Sequence, residues 1–308
     1  MRVLITGVSG FVGGRLARRL ASRAELELFG FSRSLPEALE PLVSWRSVDL
    51  ADRAAVIDYM LEVNPDRVVH LAALAHPGDC RLGPERAFEM QVTGTAALLS
   101  ALAPEASALV VSSAQVYGTH NVSPIPETAE LNADSPYGRS KRASEQVALA
   151  AAASGKRVII ARPFNHSGAG QQRRYVLPAF ASRVLESRDS GEAIMTGNLF
   201  PRRDFLHVED VLDAYELLLE TGESGEVYNV ASGVGVSIEE LLSKLQTLAS
   251  TELEVRQDPA RMRANDPEEI CGDATRLREL GWTPKFTLDE LLREVLEAVS
   301  GGDEPPAA

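Results

Sequence analysis

Tyr137 and Lys141 stand four residues apart at the head of an Ala-rich stretch, Ser135–Ala153, that reads as a helix. At that spacing their side chains share one helical face. A phenol with its ordinary pKa of about 10 exchanges protons poorly at neutral pH. A neighbouring ammonium stabilises the phenolate and brings the value towards the working range. Such a pair alone recurs by chance in many helices. Here it follows Ser112 and Ser113, which end an apolar run, Ala108–Val111, that reads as a strand. A hydroxyl at the carboxyl end of a parallel strand lies where a doubly wound sheet binds its ligand. Ser113 is therefore placed to hydrogen-bond a carbonyl or alcohol oxygen being reduced or oxidised.

The N-terminus offers a place for the hydride carrier. A strand at Val3–Ile5 runs into Gly7-Val8-Ser9-Gly10-Phe11-Val12-Gly13 and then into a helix, Phe11–Arg23. Gly7 permits the tight turn, Gly10 allows close backbone approach, and Gly13 lets the helix pack on the strand. The helix N-terminus would face a pyrophosphate. Ser9, Phe11 and Val12 belong to the same cofactor loop. At the end of the second strand, Leu26–Phe31, an acid would accept from a ribose 2′-hydroxyl and repel a 2′-phosphate. The chain has Ser32-Arg33-Ser34 instead. A guanidinium flanked by hydroxyls suits a 2′-phosphate, so NADP(H) is expected over NAD(H), which stays open.

Around these residues β-branched runs alternate with helical patterns. Further strands are expected at Trp45–Val48, Arg67–Leu71 and Arg157–Ala161, and further helices at Arg53–Glu62 and Pro84–Leu102. The alternation predicts an α/β fold: a Rossmann-type doubly wound parallel sheet covered on both faces. Beyond residue 165 the pattern loosens into helices at Pro178–Glu186, Glu209–Glu220, Ile238–Leu248 and Leu288–Val299, with a strand at Val227–Val230. The expected organisation is a dinucleotide-binding domain over 1–165 with a return at 205–232. A smaller C-terminal substrate-binding lobe would comprise 166–204 and 233–300, and 301–308 would form a flexible tail.

The chain has 308 residues and a formal net charge of −13. That balance argues against nucleic acid or an anionic membrane as the expected partner. No run approaches the roughly 20 apolar residues of a membrane span, and the short apolar run after Arg2 reads as a strand, not a leader. Cys80 and Cys271 form neither a disulfide framework nor a metal-spaced pair. Free thiols in a reducing, cytoplasmic setting are expected. The five histidines show no metal spacing.

Over nearly all of residues 1–300 the chain resembles the extended short-chain dehydrogenase/reductases that act on nucleotide-activated sugars. The landmarks are Gly7/Gly10/Gly13, Asp49-Leu50, His70-Leu71-Ala72-Ala73, Ser113 to Gly118, Tyr137/Lys141 and Arg162-Pro163-Phe164-Asn165. Downstream come Arg203-Asp204-Phe205, Tyr228 to Gly233, Arg263, Asp273 and Leu280-Gly281-Trp282. The stretches 161–168, 197–205 and 257–263 are similar to the GDP-mannose dehydratase/reductase branch. The resemblance implies that Ser113, Tyr137 and Lys141 form the catalytic triad, with Lys141 also holding the nicotinamide ribose. It places Asp49, Leu50, Leu71, Ala72, Ala73 and Pro163 about the dinucleotide. His76, Gln115, Asn165, Arg203 and Arg263 would meet a nucleotide-diphospho-sugar, with Arg173 and Arg174 as weaker candidates. It also implies a homodimer through a four-helix bundle of Pro84–Leu102 and Ser135–Ala153.

Dehydratases that resemble this chain carry a carboxylate base, usually Glu, two residues after the catalytic Ser or Thr. That position is Gln115, whose amide cannot take a proton at neutral pH. A second departure is Gln91, where the family has Asn supporting the active-site helix. The expected activity is NADPH-dependent reduction of the C4 ketone of a nucleotide-diphospho-4-keto-6-deoxyhexose, GDP-linked by the branch resemblance. Two alternatives share the motifs: a nucleotide-sugar 4-epimerase with tightly bound NAD, and a non-catalytic dinucleotide sensor.

Overall fold

A computed structural model describes residues 1–119, 122–262 and 266–302; Arg263 and residues 303–308 of the expected tail lie outside them. The first half runs β1 (Arg2–Thr6), α1 (Phe11–Leu20), β2 (Glu27–Ser32), β3 (Ser44–Ser47), α2 (Arg53–Val63) and β4 (Arg67–His70). It continues through α3 (Pro77–Leu82), α4 (Pro84–Phe88), α5 (Gly94–Ser100), β5 (Ser107–Val111), α6 (Pro136–Ala153) and β6 (Arg157–Pro163). The second half holds β7 (Asn165–Ser167), α7 (Val176–Ser190), β8 (Ile194–Thr196), β9 (Arg202–His207), α8 (Val208–Thr221) and β10 (Val227–Val230). It ends with β11 (Gly235–Ser237), α9 (Ile238–Leu248), β12 (Val255–Gln257), β13 (Glu269–Ile270), α10 (Thr275–Glu279) and α11 (Leu288–Ser300).

The expected doubly wound sheet is present as seven parallel strands in the order β10-β6-β5-β4-β1-β2-β3. Both faces are covered, which is why its strands read as continuous apolar runs. In β1, Val3 and Ile5 join the core shared with α1 and α8, while Leu4 joins the core shared with α2, α5 and α6. A third core unites α7, α9 and α11. There β9 pairs with β7, β11 and β13, and β8 pairs with β12. No helix among the described residues is long and apolar enough to cross a membrane.

The stretch expected as one helix over Pro84–Leu102 is helical from Pro84 to Ser100, but with a π turn inside it. Gly83 ends α3 and opens α4, and a π-helical turn over Glu89–Thr93 separates α4 from α5. The wide turn turns Gln91 into the protein, where it is buried, and the Thr95 hydroxyl donates to the Gln91 carbonyl at 2.5 Å. Such turns recur at functional sites because they re-aim side chains. The six-residue α3 went unanticipated because Pro77-Gly78-Asp79-Cys80-Arg81-Leu82 has no helical apolar period.

Candidate active site

Strand order reverses between β1 and β4, so their carboxyl ends flank the crevice in which such sheets bind ligands. The glycine loop leaves β1 here. Gly7 has φ +67°, and its N–H donates to Phe31 O at 2.9 Å. A Cβ on Gly13 would come within 2.3 Å of Gly7 O, so only glycine lets α1 sit this close to the turn. Ser9, Phe11 and Val12 are half-buried around the loop. Leu71 and Ala72 lie against it, since a Cβ on Gly7 would meet the Ala72 backbone at 3.0 Å and the Leu71 carbonyl carbon at 3.3 Å, and Ala73 follows them.

A chain of hydrogen bonds crosses the crevice. Ala72 N–H donates to Thr6 Oγ1 at 2.9 Å. Thr6 Oγ1 lies 2.8 Å from His70 Nδ1, and His70 Nε2 lies 2.9 Å from Thr95 Oγ1. The Thr95 proton goes to the Gln91 carbonyl, so Thr95 accepts from Nε2–H and Thr6 donates to Nδ1. Donor accounting thus assigns His70 as the neutral Nε2–H tautomer. Burial, reinforced by the Lys141 cation, lowers its pKa to about 3. The unfolded chain would protonate this ring near its ordinary value of about 6.5. His70 therefore makes the fold lose stability as pH falls from there towards 3. Nitrogen NMR is expected to show His70 unprotonated at Nδ1 from pH 8 down to pH 4; titration near 6 would contradict the bonding chain.

The reacting groups converge from β5 and α6. Ser135 caps α6, its Oγ accepting Gly138 N–H at 3.0 Å, and Pro136 opens the first turn. This start turns Tyr137 towards Ser113 at the end of β5. Ser113 Oγ also accepts the Gln115 N–H at 3.2 Å. Burial pushes the Tyr137 phenol above its usual value; the Ser113 hydroxyl pulls it back, while Tyr175 and Cys80 push it further up. Lys141 Nζ donates instead to Val111 O at 2.7 Å, at the end of β5. Burial lowers Lys141 to about 8, against the opposing pull of Cys80 and Glu145. The expectation that Lys141 brings the Tyr137 phenol down is corrected here: its cation faces Val111 and burial dominates.

Gln115 Oε1 accepts the Ser135 hydroxyl at 3.2 Å, so the amide occupies the position of the dehydratase base and no carboxylate stands there. Gln91 holds the active-site helix, Ser140 Oγ donating to its Oε1 at 2.9 Å while its Nε2 donates to Leu74 O at 3.2 Å. Nothing in sequence spacing signalled Cys80 or Tyr175, whose fields reach Tyr137.

The other expected residues are more dispersed. Arg33 and Ser34 are exposed at the end of β2. Ser32 is buried, its hydroxyl donating to Ser34 O at 2.6 Å and accepting Trp45 Nε1–H at 3.0 Å, so of the two flanking hydroxyls only that of Ser34 faces outward. Asp49 accepts Ala51 N–H at 3.0 Å and pairs with Arg86; Leu50 is buried against Gly94. Pro163 is buried at the end of β6. His76 caps α3. Asn165 is exposed on β7, its Nδ2 donating to Asp204 O at 2.9 Å. Arg203 on β9 is turned onto Asp266 at 2.5 Å and onto Pro267 O at 3.0 Å. An anion would have to compete with that carboxylate. Arg263 lies outside the described residues.

A nicotinamide dinucleotide fits what is present. The glycine cradle leaves no room for a Cβ at Gly13. At the end of β5 the buried Ser112 Oγ has no hydrogen-bond partner among the described residues, leaving a donor for a ligand.

A family model described as GDP-mannose 4,6 dehydratase matches residues 4–295. The chain is 36% identical to a GDP-6-deoxy-D-mannose reductase of Pseudomonas aeruginosa, over 96% of each chain. Among solved structures it is similar to RMD from Pseudomonas aeruginosa complexed with NADPH, at 34% identity and TM-score 0.84, covering 98% of this chain and 99% of that one. It is also similar to a Thermotoga maritima UDP-glucose 4-epimerase with UDP-glucose, at 26% identity and TM-score 0.89, covering 99% of this chain and 100% of that one.

Proposed function

The chain belongs to the GDP-mannose 4,6-dehydratase family of extended short-chain dehydrogenase/reductases, and from that premise we propose that it uses NADPH to reduce the C4 ketone of a GDP-linked 4-keto-6-deoxyhexose. Its class is that of the NAD(P)-dependent nucleotide-sugar oxidoreductases. The observation that carries the proposal is Gln115, bonded through its main-chain N–H to Ser113 and through its side-chain amide to Ser135 beside Tyr137. Dehydration needs a carboxylate there, whereas ketone reduction needs only a proton donor and an oxyanion-stabilising hydroxyl.

The bound dinucleotide supplies the hydride. Tyr137, kept protonated by its raised pKa, gives its proton to the oxygen at C4 as charge develops. Ser113 Oγ already accepts the Gln115 N–H, so its own proton remains to donate to that oxygen. The Lys141 cation, anchored on Val111 O, would orient the ribose of the nicotinamide when the dinucleotide is bound.

Arg33 supports NADPH over NADH. Arg33→Glu is expected to raise KM for NADPH about 10- to 100-fold, the value of one or two charge-assisted hydrogen bonds, while KM for NADH changes far less. Equal changes for both dinucleotides would remove Arg33 from the 2′-phosphate. The reading includes a homodimer joined through the outward faces of Pro84–Ser100 and Pro136–Ala153, where Phe88, Ala96 and Ala150 are exposed. Sedimentation is expected to return twice the chain mass.

The deciding assay follows NADPH oxidation with GDP-4-keto-6-deoxy-D-mannose against its dTDP and UDP counterparts. Fastest turnover with the GDP sugar is expected. Interconversion of UDP-sugars without added cofactor would establish an epimerase instead.

A further inference from the structure

We infer that the loop 168–175 is a strap over the dinucleotide crevice and that the Asp79–Arg174 ion pair is its catch. The catch must part before the dinucleotide can exchange, so the inference rests on the cofactor of the proposed reduction. The loop joins β7 to α7. Between them it is fastened to the helices that flank the large sheet. Near its start, Arg15 on α1 donates to Ala169 O at 2.7 Å. Near its end, Arg174 donates to Asp79 on α3 at 2.8 Å.

Topology puts the strap across the mouth. α1 follows β1 and shares a core with α8 on one face of the sheet. α3 follows β4 and packs on α6, which belongs to the opposite face. β1 and β4 are the neighbours between which strand order reverses, and the crevice opens at their carboxyl ends. Ala169 and Arg174 are five residues apart, a reach of at most about 18 Å. A connection that short between opposite faces passes over the strand ends, not around the sheet. Arg15 also lies over the Phe11 ring of the glycine loop, 5.4 Å from its centroid.

The two fastenings are unequal. Glu294 Oε1 accepts from Arg15 at 3.0 Å and from the Ala169 N–H at 2.8 Å, and its Oε2 lies 2.5 Å from His207 Nε2. The first end is therefore braced by α11 and by the start of α8. The Asp79–Arg174 pair is one contact between side chains 37% and 43% exposed. Its support is the His76 and Tyr175 rings, which meet edge to face with centroids 5.5 Å apart. Exposed pairs hold weakly, so the strap parts at this end.

Stopped-flow fluorescence of NADPH, without sugar, reads the catch directly. Asp79→Asn should quicken both association and release about 2- to 5-fold, the worth of one exposed pair, with Kd nearly unchanged. Arg174→Met breaks the same pair from the other side and should quicken both steps likewise. Charge steering cannot imitate that agreement, because losing an anion speeds the approach of NADPH and losing a cation slows it. Adding Tyr175→Ala to Asp79→Asn removes the ring contact too and should bring both rates to about 10-fold over wild type. Faster release with unchanged association would make the pair part of the binding site and overturn the catch. Wild-type rates in both single variants overturn the strap alone and leave ketone reduction standing. Failure of the wild type to bind NADPH overturns the proposed cofactor and the strap with it.

Discussion

Tyr137→Phe is expected to lower kcat for ketone reduction by roughly 10²- to 10⁴-fold, the range of a positioned general acid, while the dissociation constant for NADPH changes little. The asymmetry follows from where the phenol sits. Tyr137 stands at the start of α6 and the glycine cradle is built from the turn after β1, so loss of the phenol removes the proton donor and leaves the dinucleotide cradle intact. The pH profile separates the triad members. Burial keeps Tyr137 protonated well above neutrality, so the phenol contributes no limb in the working range. Lys141 loses its charge at about 8. Below that value the cation is present to hold the nicotinamide ribose in place; above it the cation disappears. The rate should therefore fall as pH rises through about 8. Lys141→Arg keeps a charge at every accessible pH. That variant should be slower, but flat where the wild type declines. A limb near 8 that survives in Lys141→Arg belongs to another group.

Much of the sheet was legible because a strand buried on both faces leaves a continuous apolar run, as in β1 and β5, and because Gly7, Gly10 and Gly13 have a steric reason that survives without coordinates. The Tyr137/Lys141 pair was legible for a similar reason: helical spacing puts both on one face. What spacing could not show was direction and company. The Lys141 cation turns to Val111 O because the end of β5 passes beneath α6, a fact of sheet order. The π turn at Glu89–Thr93 was hidden because it adds no distinctive residue. Its purpose shows only where Gln91 meets Ser140 and Leu74. Tyr175 lies 38 residues after Tyr137 in a stretch without periodic signal, and only folding brings the two phenols together. Arg203 looked like an anion ligand by residue type, yet Asp266, 63 residues on, faces it.

Arg162→Met is expected to lower unfolding free energy in urea by about 3–5 kcal/mol, the cost of removing one partner from a buried ion pair. Arg162 is 4% exposed and Glu145 not at all. The guanidinium meets both carboxylate oxygens, at 2.9 and 2.7 Å, and also donates to Tyr117 Oη at 3.0 Å and Glu127 O at 3.1 Å. Tyr117 in turn donates to Asn229 Oδ1 at 2.7 Å. This network ties α6 to β6, β10 and the turn after β5. Removing both charges with Arg162→Met and Glu145→Leu leaves no orphaned carboxylate and should recover most of the loss. Activity should still register the change, because Glu145 lies one turn beyond Lys141 and its charge holds the Lys141 pKa up. Without Glu145 that pKa drops below about 8, and the alkaline limb of the rate profile should move to lower pH. If the double variant is as unstable as Arg162→Met alone, the ion pair is not the source of the loss. If its limb stays in place, Glu145 supports the fold alone and has no hold on the proton chemistry.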